Sequence, residues 1–170
     1  MNRTLKFLLL LIVAVAAVSV PALAIDHVIV NSRDWRDVYS ATQYAQLIGA
    51  PSNFLVSSKH STILLYSIEK SKEDVQVISS RSNPFIIGYE GILLQNGYAN
   101  PDELIYEQAN LELARRLNDE IARTNAQRPA TSALEPVRRF IIIDDQYGYN
   151  AISVASYAAA ADTMSSSQTT

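Results

Sequence analysis

Residues 27–47 read HVIVNSRDWRDVYSATQYAQL. Val28-Ile29-Val30 is a short continuous apolar run, the pattern of a strand buried on both faces. The polar pair Asn31-Ser32 ends it, and Asp34 supplies a residue suited to cap a helix. Tyr39, Ala41, Ala45 and Ile48 then recur at helical spacing, and Gly49-Ala50-Pro51 stops the helix. A fully apolar strand leading directly into a helix is the building step of α/β proteins.

The same pattern recurs. Residues 140–160, FIIIDDQYGYNAISVASYAAA, align with residues 27–47 after a shift of 113 positions. Ile142 and Ile143 then fall on Ile29 and Val30, Asn150 on Asp37, Ser153 on Ser40, and Tyr157-Ala158 on Tyr44-Ala45. The chain is thus expected to hold one complete unit, residues 25–124, and the truncated start of a second, residues 137–162. Residues 125–136, with two prolines and several small polar residues, read as a linker, and residues 163–170 as a polar tail.

Further elements follow between the two segments. Phe54–Val56 and Val75–Ile78 are predicted strands, and His60–Glu69 is a predicted helix with Ile63, Leu64 and Ile68 turned inward. Another apolar run, Phe85–Ile87, follows Pro84. Asn100, Pro101 and Glu103 together carry the signature of a capped helix start. From there an apolar stripe of Leu104, Leu111, Ala114, Leu117 and Ile121 predicts an amphipathic helix of about five turns. Apolar strands alternating with helices predict a three-layer α/β fold with a mostly parallel sheet, flavodoxin-like or Rossmann-like.

Residues 1–24 read as a signal peptide. Arg3 and Lys6 precede the uncharged run Phe7–Val20, and Ala22-Leu23-Ala24 forms a cleavage site. The protein is therefore expected to be extracytoplasmic, secreted or at the cell surface, touching a membrane only if the signal stays uncleaved. Mass spectrometry of the mature protein is expected to find Ile25 at its N-terminus; an intact Met1 in the membrane fraction would indicate an anchor instead.

Without that segment the chain has 12 basic and 17 acidic residues, a net charge of −5. No basic stripe marks it for nucleic acid. It has no cysteine, which excludes disulfides and thiolate metal sites.

The stretch from Asp37 to Ala45 resembles the signature of the cell-wall-binding repeat 2 family, surface-protein modules of many secreted bacterial and archaeal proteins. Asp37, Ser40, Ala41 and Ala45 match, and Tyr44 takes the place of a leucine. Ala50-Pro51 and the strand Phe54-Leu55-Val56 follow in the family's order. Ser79-Ser80-Arg81 stands where the family has a Gly-Gly turn, so the chain reads as a divergent relative. The resemblance implies a non-enzymatic module for envelope attachment or surface-layer assembly, whose partner is an envelope polymer or another surface protein.

From the residues alone, Asp34, Asp37, Asp144 and Asp145 lie just beyond the carboxyl ends of predicted parallel strands, where open α/β sheets bind ligands. Trp35 and Tyr147 occupy the matching loops and add aromatic surface suited to carbohydrate or protein contact. These six are the candidate ligand-binding residues. The competing reading makes the acids helix caps or solvated first-turn charges and the rings sheet-edge packing. An alternative function from another class is an exported small-ligand binder or enzyme using these acids. Neither a Gly-x-Ser-x-Gly elbow nor a Gly-x-Gly-x-x-Gly loop is present, and only His27 and His60 supply imidazole. No catalytic residue, metal site or cofactor is assigned.

Overall fold

The computed structural model describes residues 25–70, 74–144, 149–160 and 164–168. Residues 1–24, expected from the sequence to be a signal peptide, lie outside the described residues, as do Asp145 and Tyr147. Strands β1 (His27–Asn31), β2 (Ser52–Phe54), β3 (Val75–Ser80) and β4 (Asp102–Tyr106) form one all-parallel sheet in the order β2-β1-β3-β4. Helices α1 (Trp35–Ile48), α2 (His60–Ser67), α3 (Tyr89–Gln95) and α4 (Ala109–Gln127) flank it. The fold is a three-layer α/β architecture with a flavodoxin-like or Rossmann-like arrangement.

Alternation along the strands explains the layers. Val28, Val30 and Ile78 point into a cluster with Ala41, Tyr44, Ala45 and Ile48 of α1 and Leu113, Leu117 and Ile121 of α4. Ile29, Val75 and Val77 point the other way, onto Leu64 and Leu65 of α2 and Tyr89 and Leu93 of α3. Because both faces are covered, β1 and β3 are buried along their whole length.

Helix α1 begins where the sequence indicates. Asp34 has extended backbone, and its carboxylate accepts the Arg36 N–H at 2.9 Å. The helix ends at Gly49, whose φ of 74° lets the chain turn while the Ala50 N–H donates to the Ala45 carbonyl at 2.9 Å. Ala41 and Ala45 are fully buried in the cluster between sheet and helices. Ala41→Leu and Ala45→Leu are each expected to destabilise by about 1–3 kcal/mol, the cost of overpacking a dense core. Denaturant melts check this; an unchanged midpoint at both sites would mean the helix face is not tightly packed.

Three local expectations are corrected. Asn100-Pro101-x-Glu103 does not start a helix: residues 102–106 are β4, with Leu104 in register with Ile78. Pairing with the exposed edge of β3 outweighs the local capping signature, as tertiary context commonly does for short segments. The long helix starts later, at Ala109, and its buried stripe runs Ala109, Leu113, Leu117, Ile121, leaving Leu111 exposed. In α2 the inward residues are Leu64 and Leu65, whereas Ile63 faces solvent; Ile68 is buried just past the helix end.

The second segment folds as strand β5 (Phe140–Asp144), helix α5 (Tyr149–Ala160) and strand β6 (Met164–Gln168), with β5 and β6 parallel. The stretch read as a polar tail thus supplies a strand. Its register repeats that of the first unit. Val28, Ile29 and Val30 pair with Ser52, Asn53 and Phe54, and Ile141, Ile142 and Ile143 pair with Ser165, Ser166 and Ser167. Every one of these positions moves by the same 113 residues.

This second β-α-β unit docks on the first. Met164 is fully buried in the cluster of α1 and α4, and the Tyr39 hydroxyl donates to the Ala151 carbonyl at 2.9 Å. The segment between the units runs back along α4. Asn125 and Asn118, two helical turns apart, each grip the N–H and the carbonyl of one residue, Leu134 and Val137 respectively, at 2.7–2.9 Å. Two side-chain amides thus take the place of a strand neighbour for a stretch with no strand partner of its own.

Candidate functional site

The strand order reverses between β1 and β3, so the crevice beyond their carboxyl ends is the place where this architecture admits ligands. Both strands end there in polar residues, Asn31 at the end of β1 with Ser32 just after it, and Ser79 and Ser80 in β3. All four are buried, and their bonds define the site.

Asn31 clasps the loop after β3. Its amide NH2 donates to the Ser79 hydroxyl at 2.9 Å and to the Ile86 carbonyl at 2.6 Å. Its amide oxygen accepts the N–H groups of Phe85 and Ile86 at 3.0 and 3.1 Å. The apolar run at Phe85–Ile87 is therefore a loop bonded to the end of β1. Ser79 in turn donates to Glu103 of β4, which also accepts the Glu90 N–H in the first turn of α3.

Asp37 forms the second clasp. It is buried, at 8% exposure, and accepts the Ser32 hydroxyl at 2.7 Å, the Ser80 hydroxyl, and the backbone N–H of Ala109. Ala109 opens α4, whose preceding residue, Gln108, makes no side-chain cap. Asp37 therefore caps a helix other than its own and ties β1, β3, α1 and α4 together. Burial raises its carboxyl above the usual range, against the lowering effect of its bond from Ser32.

Asp34 behaves in the opposite way. Arg36 holds it through Nε and Nη2 of its guanidinium, at 2.6–3.1 Å, and through the backbone N–H. The bond from the Arg36 side chain lowers its carboxyl below the usual range. These opposed shifts give a pair of predictions. Asp37 is raised in the folded state, so its contribution to stability is present at low pH and is lost as pH rises through the folded value. Asp34 is lowered, so its contribution is present at neutral pH and is lost as pH falls. The stability of Asp37→Asn relative to the native protein should therefore increase with pH, and that of Asp34→Asn should decrease. Denaturant midpoints between about pH 3 and pH 7, spanning the ordinary aspartate titration, check both signs. A flat difference for Asp37→Asn would mean that its carboxyl is not penalised by burial.

Above these clasps lies an exposed rim. Trp35, the first residue of α1, is 42% exposed. The Arg33 guanidinium lies 5.1 Å from the Phe85 ring centre, and Arg81 pairs with Glu107 at 3.1 Å. The site is a hydrogen-bonded interior beneath a rim of rings and guanidinium groups, which suits contact with a polar or anionic surface.

The structure brings Asp34, Trp35 and Asp37 together on the first unit and places Asp144 on the separate sheet of the second, at the exposed end of β5. His27 lies at the opposite, amino end of β1, its Nε2 2.8 Å from Asn53 Oδ1; His60 begins α2. Among the described residues no group of three or more histidine, aspartate or glutamate side chains converges as a metal site. No described helix is long and apolar enough to cross a membrane. Sequence reasoning missed Asn31, Ser32, Ser79, Ser80 and Glu103. The available signal was that both central strands, mostly apolar, finish in serine and asparagine at buried positions.

No family model, curated protein or solved structure matches the chain.

Proposed function

We propose that this protein is an exported cell-surface module, built from a repeated β-α-β unit, that attaches to an envelope polymer or another surface protein and acts by binding. The observation that carries this reading is the return of β1-α1-β2 113 residues later with the strand register unchanged. Stacked repeats of one supersecondary unit build extended surfaces, and such surfaces serve attachment. The resemblance of Asp37–Ala45 to the cell-wall-binding repeat 2 signature points the same way. So does the chemistry of the crevice: Asp34 and Asp37 are held by Arg36 and by internal donors, while Trp35 and the Arg33–Phe85 pair face outward.

Purified residues 25–170 should cosediment with isolated cell envelope, and Trp35→Ala should weaken that binding about tenfold, the loss of roughly one aromatic contact. Envelope binding no greater than that of an unrelated protein of equal charge would overturn the proposal. A small metabolite that raises the melting temperature, with no envelope binding, would instead support a ligand-binding protein.

A further inference from the structure

Strand β5 pairs with β6 on one side, and among the described residues no strand lies along its other edge. Its outward face is apolar: Phe140 is 46% exposed and Ile142 67%. Met164, in register with Phe140, is fully buried against α1 and α4, so β6 rests on the first unit while β5 overhangs it. The positions of the first unit that match Phe140 and Ile142 are His27 and Ile29, both buried, and Ile29 is covered by α2. An uncovered apolar edge strand of this kind pairs with another strand unless something blocks it.

The flanking charges identify the partner. Residues 138–144 read Arg-Arg-Phe-Ile-Ile-Ile-Asp, basic before the strand and acidic at its end. Arg138 is exposed and makes no ion pair among the described residues. Run antiparallel against itself with Ile141 on the two-fold axis, this segment sets Arg138 opposite Asp144 of a second copy and Phe140 opposite Ile142. The same two pairs recur on the other side of the axis. Each is a favourable cross-strand pair, one of opposite charges and one aromatic with β-branched. A two-fold axis perpendicular to the sheet requires side chains of like parity to face each other, and this register satisfies that. Parallel pairing in register would instead place Arg138 beside Arg138 and Asp144 beside Asp144.

We infer that β5 is a self-association edge: two copies of the chain pair through antiparallel β5 strands, joining their two-stranded sheets into one of four strands, β6-β5-β5-β6. The contact is isologous, so it closes at a dimer. It stands independently of the envelope-binding proposal, because it concerns a different face and a different partner.

Charge reversal tests the register directly. Residues 25–170 should dimerise in sedimentation equilibrium over about 1 µM to 1 mM, the range of weak contacts. Arg138→Glu sets the introduced carboxylate against Asp144 twice, and Asp144→Arg sets the introduced guanidinium against Arg138 twice. Each single variant should therefore weaken the dimer about tenfold or more, with circular dichroism checking that each variant keeps the fold. Mixed in equal amounts, the two variants should form a heterodimer of near-native affinity, since both cross-strand pairs are then opposite in sign. A chain that stays monomeric throughout this range overturns the inference. So do dimers unaffected by either reversal, which would place the contact elsewhere, and single variants that dissociate without being rescued by mixing.

Discussion

Asn31→Ala is expected to destabilise the protein by about 2–4 kcal/mol, more than any other single polar substitution around the crevice. The side chain is fully buried and makes four hydrogen bonds, to Ser79, to the Ile86 carbonyl, and from the Phe85 and Ile86 N–H groups. Truncation leaves two backbone donors and one carbonyl without their partner, and each such group costs about 1–3 kcal/mol when water cannot replace it. Phe85 and Ile86 are half-buried, so water satisfies part of the deficit and the sum falls short of three full penalties. Asn31→Asp separates hydrogen-bond geometry from simple loss of volume. The carboxylate still accepts both N–H groups but cannot donate to Ile86, and it buries a charge. Burial raises such a carboxyl, so this variant should regain stability as pH falls, whereas Asn31→Ala should not. Denaturant melts at neutral and acid pH measure both. A loss below about 1 kcal/mol for Asn31→Ala, the value of a single ordinary hydrogen bond, would mean that the loop is held by something other than Asn31.

The parts of this fold legible in the sequence are those whose signal is local. Val28–Val30 and Val75–Ile78 are buried along their length because both their faces are covered, and their apolar character points to a parallel sheet between helices. The cap at Asp34 and the stop at Gly49 are likewise local, and both lie where the residue types place them. β4 was not legible. Its sequence, Asp-Glu-Leu-Ile-Tyr, begins with two acids after a proline, and only the open edge of β3 makes it a strand. β6 is a more extreme case: Met-Ser-Ser-Ser-Gln has no apolar alternation, and its strand character comes from pairing with β5.

The candidate site divides in the same way. Asp34 is visible as a cap because its main partner is two residues away. Asp37 could be placed in a first turn, but its work is done on Ala109 and Ser80, which are remote in sequence and meet it only once β3 and α4 are in position. The serines and Asn31 look like ordinary strand ends in one dimension. They become a connected network because the strand order reverses between β1 and β3 and brings both ends to one crevice.

Removing residues 137–170 should leave a fragment, 25–136, that still unfolds in a single cooperative transition but is less stable by about 3–6 kcal/mol. The four-stranded sheet and the helices on both its faces lie within that fragment, as do both hydrophobic clusters apart from Val137 and Met164. Each of those two side chains is almost completely buried, and burial of a residue of this size contributes about 1.5–3 kcal/mol. The Asn118 bonds to Val137 and the Tyr39 bond to Ala151 are lost as well, but the freed groups become accessible to water, so they add little. Urea melts of 25–136 and 25–170, compared at one pH, measure the difference. A fragment that fails to fold would mean that β5-α5-β6 is an inseparable part of one core rather than a second unit resting on the first. A fragment as stable as the longer chain would mean that the docking of Met164 and Val137 contributes nothing in solution. The intermediate outcome alone fits a repeat whose first unit folds by itself and whose second packs Met164 against α1 and α4.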